Sequence, residues 1–211
     1  MKGYFLKENM LYCFTGLLLF ININCSENVE FQRINFDFSK DYIAELARGF
    51  KSKIEYDYWA CVRSGYPDVH SISILYETKD LNTNDNFKLL GKGFYRQGHI
   101  ADSYYYIVTI KDGNINYITE VDKLQHFFGK IDTMEEALMI AKINGFLLDY
   151  NDLKGSSFRK VKNGFEFLLM KSEESGLIEF RQYLVSIDKK GSIKSEKREI
   201  YCRGYEECYE K

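Results

Sequence analysis

The residues of this chain whose types could do chemistry are its three histidines, its five cysteines and a run of three tyrosines. His70, His99 and His126 stand far apart and share no metal-ligand or triad spacing. His70 precedes Ser71, which invites a base-and-nucleophile pairing, but neighbours on a strand point to opposite faces. Gly91-Lys92-Gly93-Phe94 with Gly98 resembles a phosphate loop in glycine content, yet it lacks the Gly-Lys-Ser/Thr ending and a following helix. Glycines that let a strand bulge or bend are the simpler reading. Glu135-Glu136 suit the first turn of a helix, where negative charge is favourable. Glu173-Glu174 and Glu206-Glu207 read as solvated turn residues. No catalytic, cofactor-binding or metal-ligating residue is assigned, and no cofactor is expected.

Tyr104-Tyr105-Tyr106 is the more suggestive group. On a strand, Tyr104 and Tyr106 share one face and Tyr105 takes the other. If one face is core, at least one ring points outward, which makes the trio a candidate binding surface for a sugar, a peptide or a protein. The alternative is sheet packing by cross-strand aromatic pairs.

What the chain says most clearly concerns its destination. Lys2 and Lys7 give a positive start, and Leu11–Ile23 is an apolar run broken by Thr15, Gly16 and Asn22. The run is shorter than the roughly 20 residues that span a bilayer as a helix, and it has the layout of an export signal. It ends in Ile21-Asn22-Ile23-Asn24-Cys25, followed by polar Ser26-Glu27-Asn28. This stretch resembles the signal of a bacterial lipoprotein precursor, with Asn22 and Asn24 where the usual box has Leu and Gly or Ala. Looser boxes of this kind are tolerated in the Bacteroidetes. The resemblance covers about the first 30 residues and implies cleavage before Cys25, lipidation of Cys25 and a membrane partner reached through that lipid. The protein is then exported and lipid-anchored in the cell envelope, on the outer membrane or facing the periplasm. Secretion after conventional cleavage is the main alternative. An uncleaved anchor and a buried N-terminal segment are others.

Export bears on the cysteines. Cys13 would leave with the signal, so Cys61, Cys202 and Cys208 remain for the domain. In an oxidising compartment Cys202 and Cys208 are expected to pair around a turn at Gly204. The metal alternative is poor, because two thiolates without a nearby histidine make an incomplete zinc site. Cys61 shares a strand face with Trp59 and reads as a small buried hydrophobe.

The 211 residues carry 29 basic and 31 acidic side chains, a formal net charge of −2. That balance gives no electrostatic argument for nucleic acid. Aromatics make up 16% of the chain, which suits pleated sheet. The expected layout is a signal over 1–24, a tether over 25–38 and a domain over 39–211, with two lobes, 39–129 and 130–211, as an option.

The elements that must position these residues follow from pattern. Ser39 caps a helix over Lys40–Arg48 that Gly49 stops. Strands are expected at Ile54–Val62, His70–Glu77 and Phe87–Arg96, with a turn at Gly65-Tyr66-Pro67-Asp68. Ser103–Lys111 and Asn114–Val121 form a hairpin through Asp112-Gly113, a type I′ signal. Thr133 and Glu136 form a capping box for a helix that Gly145 stops. Phe158–Lys162, Phe165–Lys171, Leu177–Ile187 and Ser192–Cys202 complete the strands, the last polar enough to be an edge. The fold class is α+β, two short helices packed on antiparallel, meander-type sheet. The leading functional reading is a non-catalytic binding module of the envelope. Alternatives are an envelope hydrolase whose carboxylates are scattered in sequence, and an inhibitor or immunity-type protein.

Overall fold

Asp112 and Gly113 take φ of 50° and 75°, the paired positive values a type I′ turn requires. They join β5 (Ser103–Lys111) to β6 (Asn114–Ile118). The computed structural model describes residues 30–37, 41–65, 68–80, 87–97, 102–149, 152–173 and 178–209. The signal segment with Cys13 and Cys25, and also Ser39, Lys40, Tyr66, Pro67, the 81–86 loop, Gly98 and His99, lie outside the described residues.

Helices pack on two antiparallel sheets, an α+β fold. The elements before the hairpin are β1 (Gln32–Arg33), α1 (Tyr42–Ala47), β2 (Tyr58–Gly65), β3 (Asp68–Glu77) and β4 (Tyr95–Gln97). After it come α2 (Val121–Phe128), α3 (Met134–Ile143), a 3₁₀ turn at Leu153–Gly155, β7 (Ser157–Val161), β8 (Gly164–Ser172), β9 (Glu179–Asp188), β10 (Ile193–Arg203) and α4 (Gly204–Tyr209). One sheet has the order β1-β7-β8-β9-β10, a meander with the first strand added at its edge. β10 is the opposite edge, and its exposed Lys, Glu and Arg side chains discourage pairing with other chains. In the other sheet β5 is central. It pairs with β2 along its whole length, and β4 and β6 divide its other side.

Several boundaries differ from the sequence expectation, each for a local reason. The α1 cap is Asp41, whose Oδ1 accepts the amides of Ile43 at 2.9 Å and Ala44 at 3.4 Å. Residues 54–57 alternate like a strand but precede β2, because this segment packs against α2. The Lys53 amide donates to the Phe127 carbonyl at 2.7 Å. Residues 87–94 form an irregular cover over one face of the β5 sheet, and strand begins at Tyr95. Side chains of that sheet take the cover's carbonyls: Tyr106 Oη donates to Lys88 O at 2.9 Å and Ser64 Oγ to Leu90 O at 2.6 Å. Gly93 is required there, since a Cβ would lie 2.2 Å from the Tyr105 carbonyl oxygen. The hairpin's second strand stops at Ile118, and Val121 opens a helix instead of extending the strand. Gln32 and Arg33, expected in the tether, pair with Phe158 and Ser157, and Ile34 is buried. Glu207 lies in a helix, α4, and not in a turn.

The main core joins residues of α1, α2, α3 and both sheets in one cluster. Ala137 through Ala141 are five consecutive buried positions, so α3 is enclosed on every side. A smaller cluster, with Tyr58, Val62, Phe87, Tyr106 and Val108, fills the space under the 87–94 cover. Among the described residues no helix is long and apolar enough to cross a membrane.

Candidate functional site

Both faces of β5 are therefore occupied, and this decides the tyrosine run. Tyr105 is 3% exposed on the helix-facing side and Tyr106 is fully buried under the cover. Tyr104 is half-buried and donates to Asp102 Oδ2 at 3.1 Å, while Arg96 Nε holds Asp102 Oδ1 at 2.8 Å. The expected aromatic binding surface at Tyr104, Tyr105 and Tyr106 is thus corrected: two of the three rings are core. The sequence places one face of a strand outward by default, and here a loop without regular structure covers it.

Tyr105 instead belongs to a polar junction. Arg63 Nη1 donates to Asp41 Oδ2 at 2.8 Å, and the Tyr105 hydroxyl lies 3.3 Å from that oxygen and 3.2 Å from Gln97 Oε1. Burial, then the Asp41 charge, raises the proton affinity of the Tyr105 phenol. Asp41 thus caps α1 with one oxygen and ties it to β2 with the other. Beside this junction the Lys142 ammonium lies 5.4 Å from the Tyr42 ring centroid and 5.6 Å from that of Tyr95. Burial lowers its proton affinity. The arrangement links α1, α3 and the β5 sheet, and its geometry is that of a clamp.

An open cleft of about 590 Å³ lies between β6 and α2. Tyr56 and Phe127 supply its aromatic wall, and Asn116, Asp122 and His126 its polar rim, while Tyr117 lines it from the strand with its ring turned to the other face of the sheet, against Tyr106. Each is placed by a different element. Tyr56 stands on the irregular segment before β2, where its ring stacks on Phe127 at 5.9 Å and 18°. Asn116 and Tyr117 come from the hairpin's second strand. Asp122 and His126 are four apart on α2, hence on one helix face. Burial raises the proton affinity of the Tyr56 phenol. The cleft offers the half-buried Tyr56 ring, hydrogen-bond donors and acceptors, and charges of both signs.

Of the residues singled out from sequence, His126 is in this cleft. His70 lies on β3, and His99 and Cys25 are outside the described residues. Cys202 and Cys208 are joined as a disulfide with Cα atoms 5.4 Å apart, and Cys61 is a buried free thiol. Among the described residues no group of three or more His, Cys, Asp or Glu could hold a metal. Sequence reasoning missed the cleft because it missed α2. The helical spacing of Val121, Leu124, Phe127 and Phe128 was the available signal. A scan against protein-family models found no match, and searches of curated proteins and of solved structures found none either.

Proposed function

We propose that the protein is an exported, lipid-anchored binding module of the cell envelope, held to the membrane through Cys25 and engaging its ligand at the cleft between β6 and α2. The observation that carries this reading is the cleft itself. The Tyr56 and Phe127 rings stack at its wall, with neutral and charged polar groups around them, and a cleft of this size suits recognition of a small or extended ligand. The ligand is a protein, peptide or glycan of the envelope. The N-terminal signal pattern supports the address.

Two measurements test the two parts. Intact mass of membrane-extracted protein should show a chain starting at Cys25 with added acyl mass. A soluble chain starting elsewhere and unaffected by Cys25→Ser would remove the lipid anchor. Binding to arrays of envelope glycans and peptides should be weakened by Asn116→Ala and His126→Ala, both at exposed positions. An unchanged binding profile in both variants would move the ligand elsewhere. A second reading is favoured by Asp122 and His126 sharing one face of α2 in the cleft, an acid and a base within one site. Turnover of a bound ligand, lost in Asp122→Asn, would make the protein a hydrolase.

A further inference from the structure

Asn116, Tyr117 and Ile118 follow one another on β6 and point to alternate faces of the sheet, yet all three line the cleft. The Tyr117 ring packs against Tyr106 on the face away from the cleft, and its hydroxyl accepts the Lys88 amide at 3.0 Å. What Tyr117 presents to the cleft is therefore its main chain. The hairpin fixes which main-chain groups stand open there. Behind a two-residue turn the flanking pair, Lys111 and Asn114, is hydrogen-bonded, and bonded and non-bonded pairs then alternate. Asn116 and Ile118 bond back to Thr109 and Ile107, while Ile115 and Tyr117 turn their N–H and C=O groups outward. Among the described residues β6 pairs with β5 alone, and no other backbone hydrogen bond reaches these outward groups.

An open edge is a hazard that folded chains blunt. β10 is charged and its register shifts twice, and β3 has shifts in its pairing with β2. β1 and β4 are only two and three residues long. β6 has five residues, no charge, no proline and an unbroken register with β5. Ile115, an apolar side chain on this strand, is 40% exposed. Donors and acceptors that recur at every second residue along such an edge are the complement of another extended polypeptide.

We propose that the cleft takes an extended peptide segment of a partner protein, which adds to the open edge of β6 as a further strand. This rests on the binding-module reading above and names the ligand class. Side chains of the added strand opposite Ile115 and Tyr117 fall on the face that exposes Ile115, and an apolar residue suits them. The side chain opposite Asn116 falls on the cleft side, where Asp122 and His126 suit a polar or charged residue.

The test screens the full chain against a library of end-blocked octapeptides and an array of glycans. The best peptide is then remade with single N-methyl groups along its backbone. Losses of about tenfold should recur at every second position. Exchange of the Ile115 and Tyr117 amides should slow in the complex, while that of Asn116, already bonded to Thr109, should not change. Ile115→Pro removes an outward N–H from an edge strand, where proline is tolerated, and should weaken the peptide about tenfold. Should that variant unfold, the N-methyl and exchange readouts decide on the natural chain. A peptide weakened by His126→Ala that shows neither the two-residue period nor the protected amides overturns strand addition and leaves the binding module standing. So does a glycan weakened by Asn116→Ala and His126→Ala when no peptide binds. A dimer in sedimentation that Ile115→Pro dissociates gives the edge to a second copy and overturns the peptide ligand. Failure of peptides and glycans alike overturns the inference together with the reading beneath it.

Discussion

Glu136 is a carboxylate with no exposed surface, set in the first turn of α3. Its Oε1 accepts the Lys51 amide at 2.7 Å, and its Oε2 accepts those of Asp132 at 2.9 Å and Thr133 at 3.2 Å. One side chain thus ties the segment after α1 to the start of α3. Glu136→Ala leaves three amides without their acceptor, and a loss of about 3 kcal/mol is expected in denaturant melts. Glu136→Gln should be almost as costly, because its NH₂ would face an N–H at one of the two oxygen positions. Burial raises the Glu136 carboxyl above the ordinary glutamate range, and the three amides pull it partly back. The folded state then holds this proton more tightly than the unfolded chain. The contribution is full below the ordinary glutamate value and is lost as pH rises through the raised one. Melts across mildly acidic pH should show that slope in the natural protein and lack it in Glu136→Gln. Lys142 has the opposite sign. Its lowered proton affinity makes the unfolded chain the better proton binder, so stability rises as pH climbs through the window below the ordinary lysine value. Lys142→Met should gain about 1 kcal/mol near neutral pH and flatten that alkaline rise, as melts from pH 7 to 10 would show.

At the scale of elements, α3 carries the second half of the chain. Its capping box is complete: Thr133 Oγ1 accepts the Glu136 amide at 3.2 Å, and Glu136 reaches back to the Thr133 amide. Leu138 is 1% exposed and belongs to the core cluster with Phe165, Phe167 and Leu169 of β8. Leu138→Ala is expected to cost about 2–5 kcal/mol against about 1 for Thr133→Ala. Equal midpoints for the two variants would contradict this packing. α3 was legible in sequence because cap, apolar positions and the Gly145 stop (φ 84°) agree locally. The Asp112-Gly113 hairpin was legible for the same reason. α2 was not, because its Glu120 cap makes no side-chain hydrogen bond and its first apolar residue continues the preceding strand's pattern. The 87–94 cover was not either. Phe87 is buried in the small cluster under the cover and Phe94 in the main core, both by side chains distant in sequence, and no local periodicity reports that. The candidate cleft inherits both omissions, since it is built where α2 meets β6.

For the whole molecule, the core cluster shared by the two sheets leads us to expect that they unfold as one cooperative unit. Trp59 emission, which reports the β5 sheet, and exchange of β8 amides, which reports the other, should therefore lose structure at one denaturant midpoint. Two separated midpoints would mean independent lobes. The placement of β1 sets an order of events within that unit. Gln32 and Arg33 are near the start of the chain, yet they complete the edge of a sheet whose other strands all lie in the second half. The second sheet, α1, α2 and α3 all intervene between Arg33 and its partner Ser157. An N-terminal strand of two residues has no neighbour to join until β7 exists, and closing so long a loop is entropically slow. The meander β7–β10 pairs through short connections and needs no such wait. In refolding, pulse-labelled exchange should find the Ile34 amide, which donates to Ser156 O at 3.0 Å, protected later than the amides of β8 and β9. A chain made or moved N-terminus first would hold Gln32 and Arg33 unpaired until β7 had followed them.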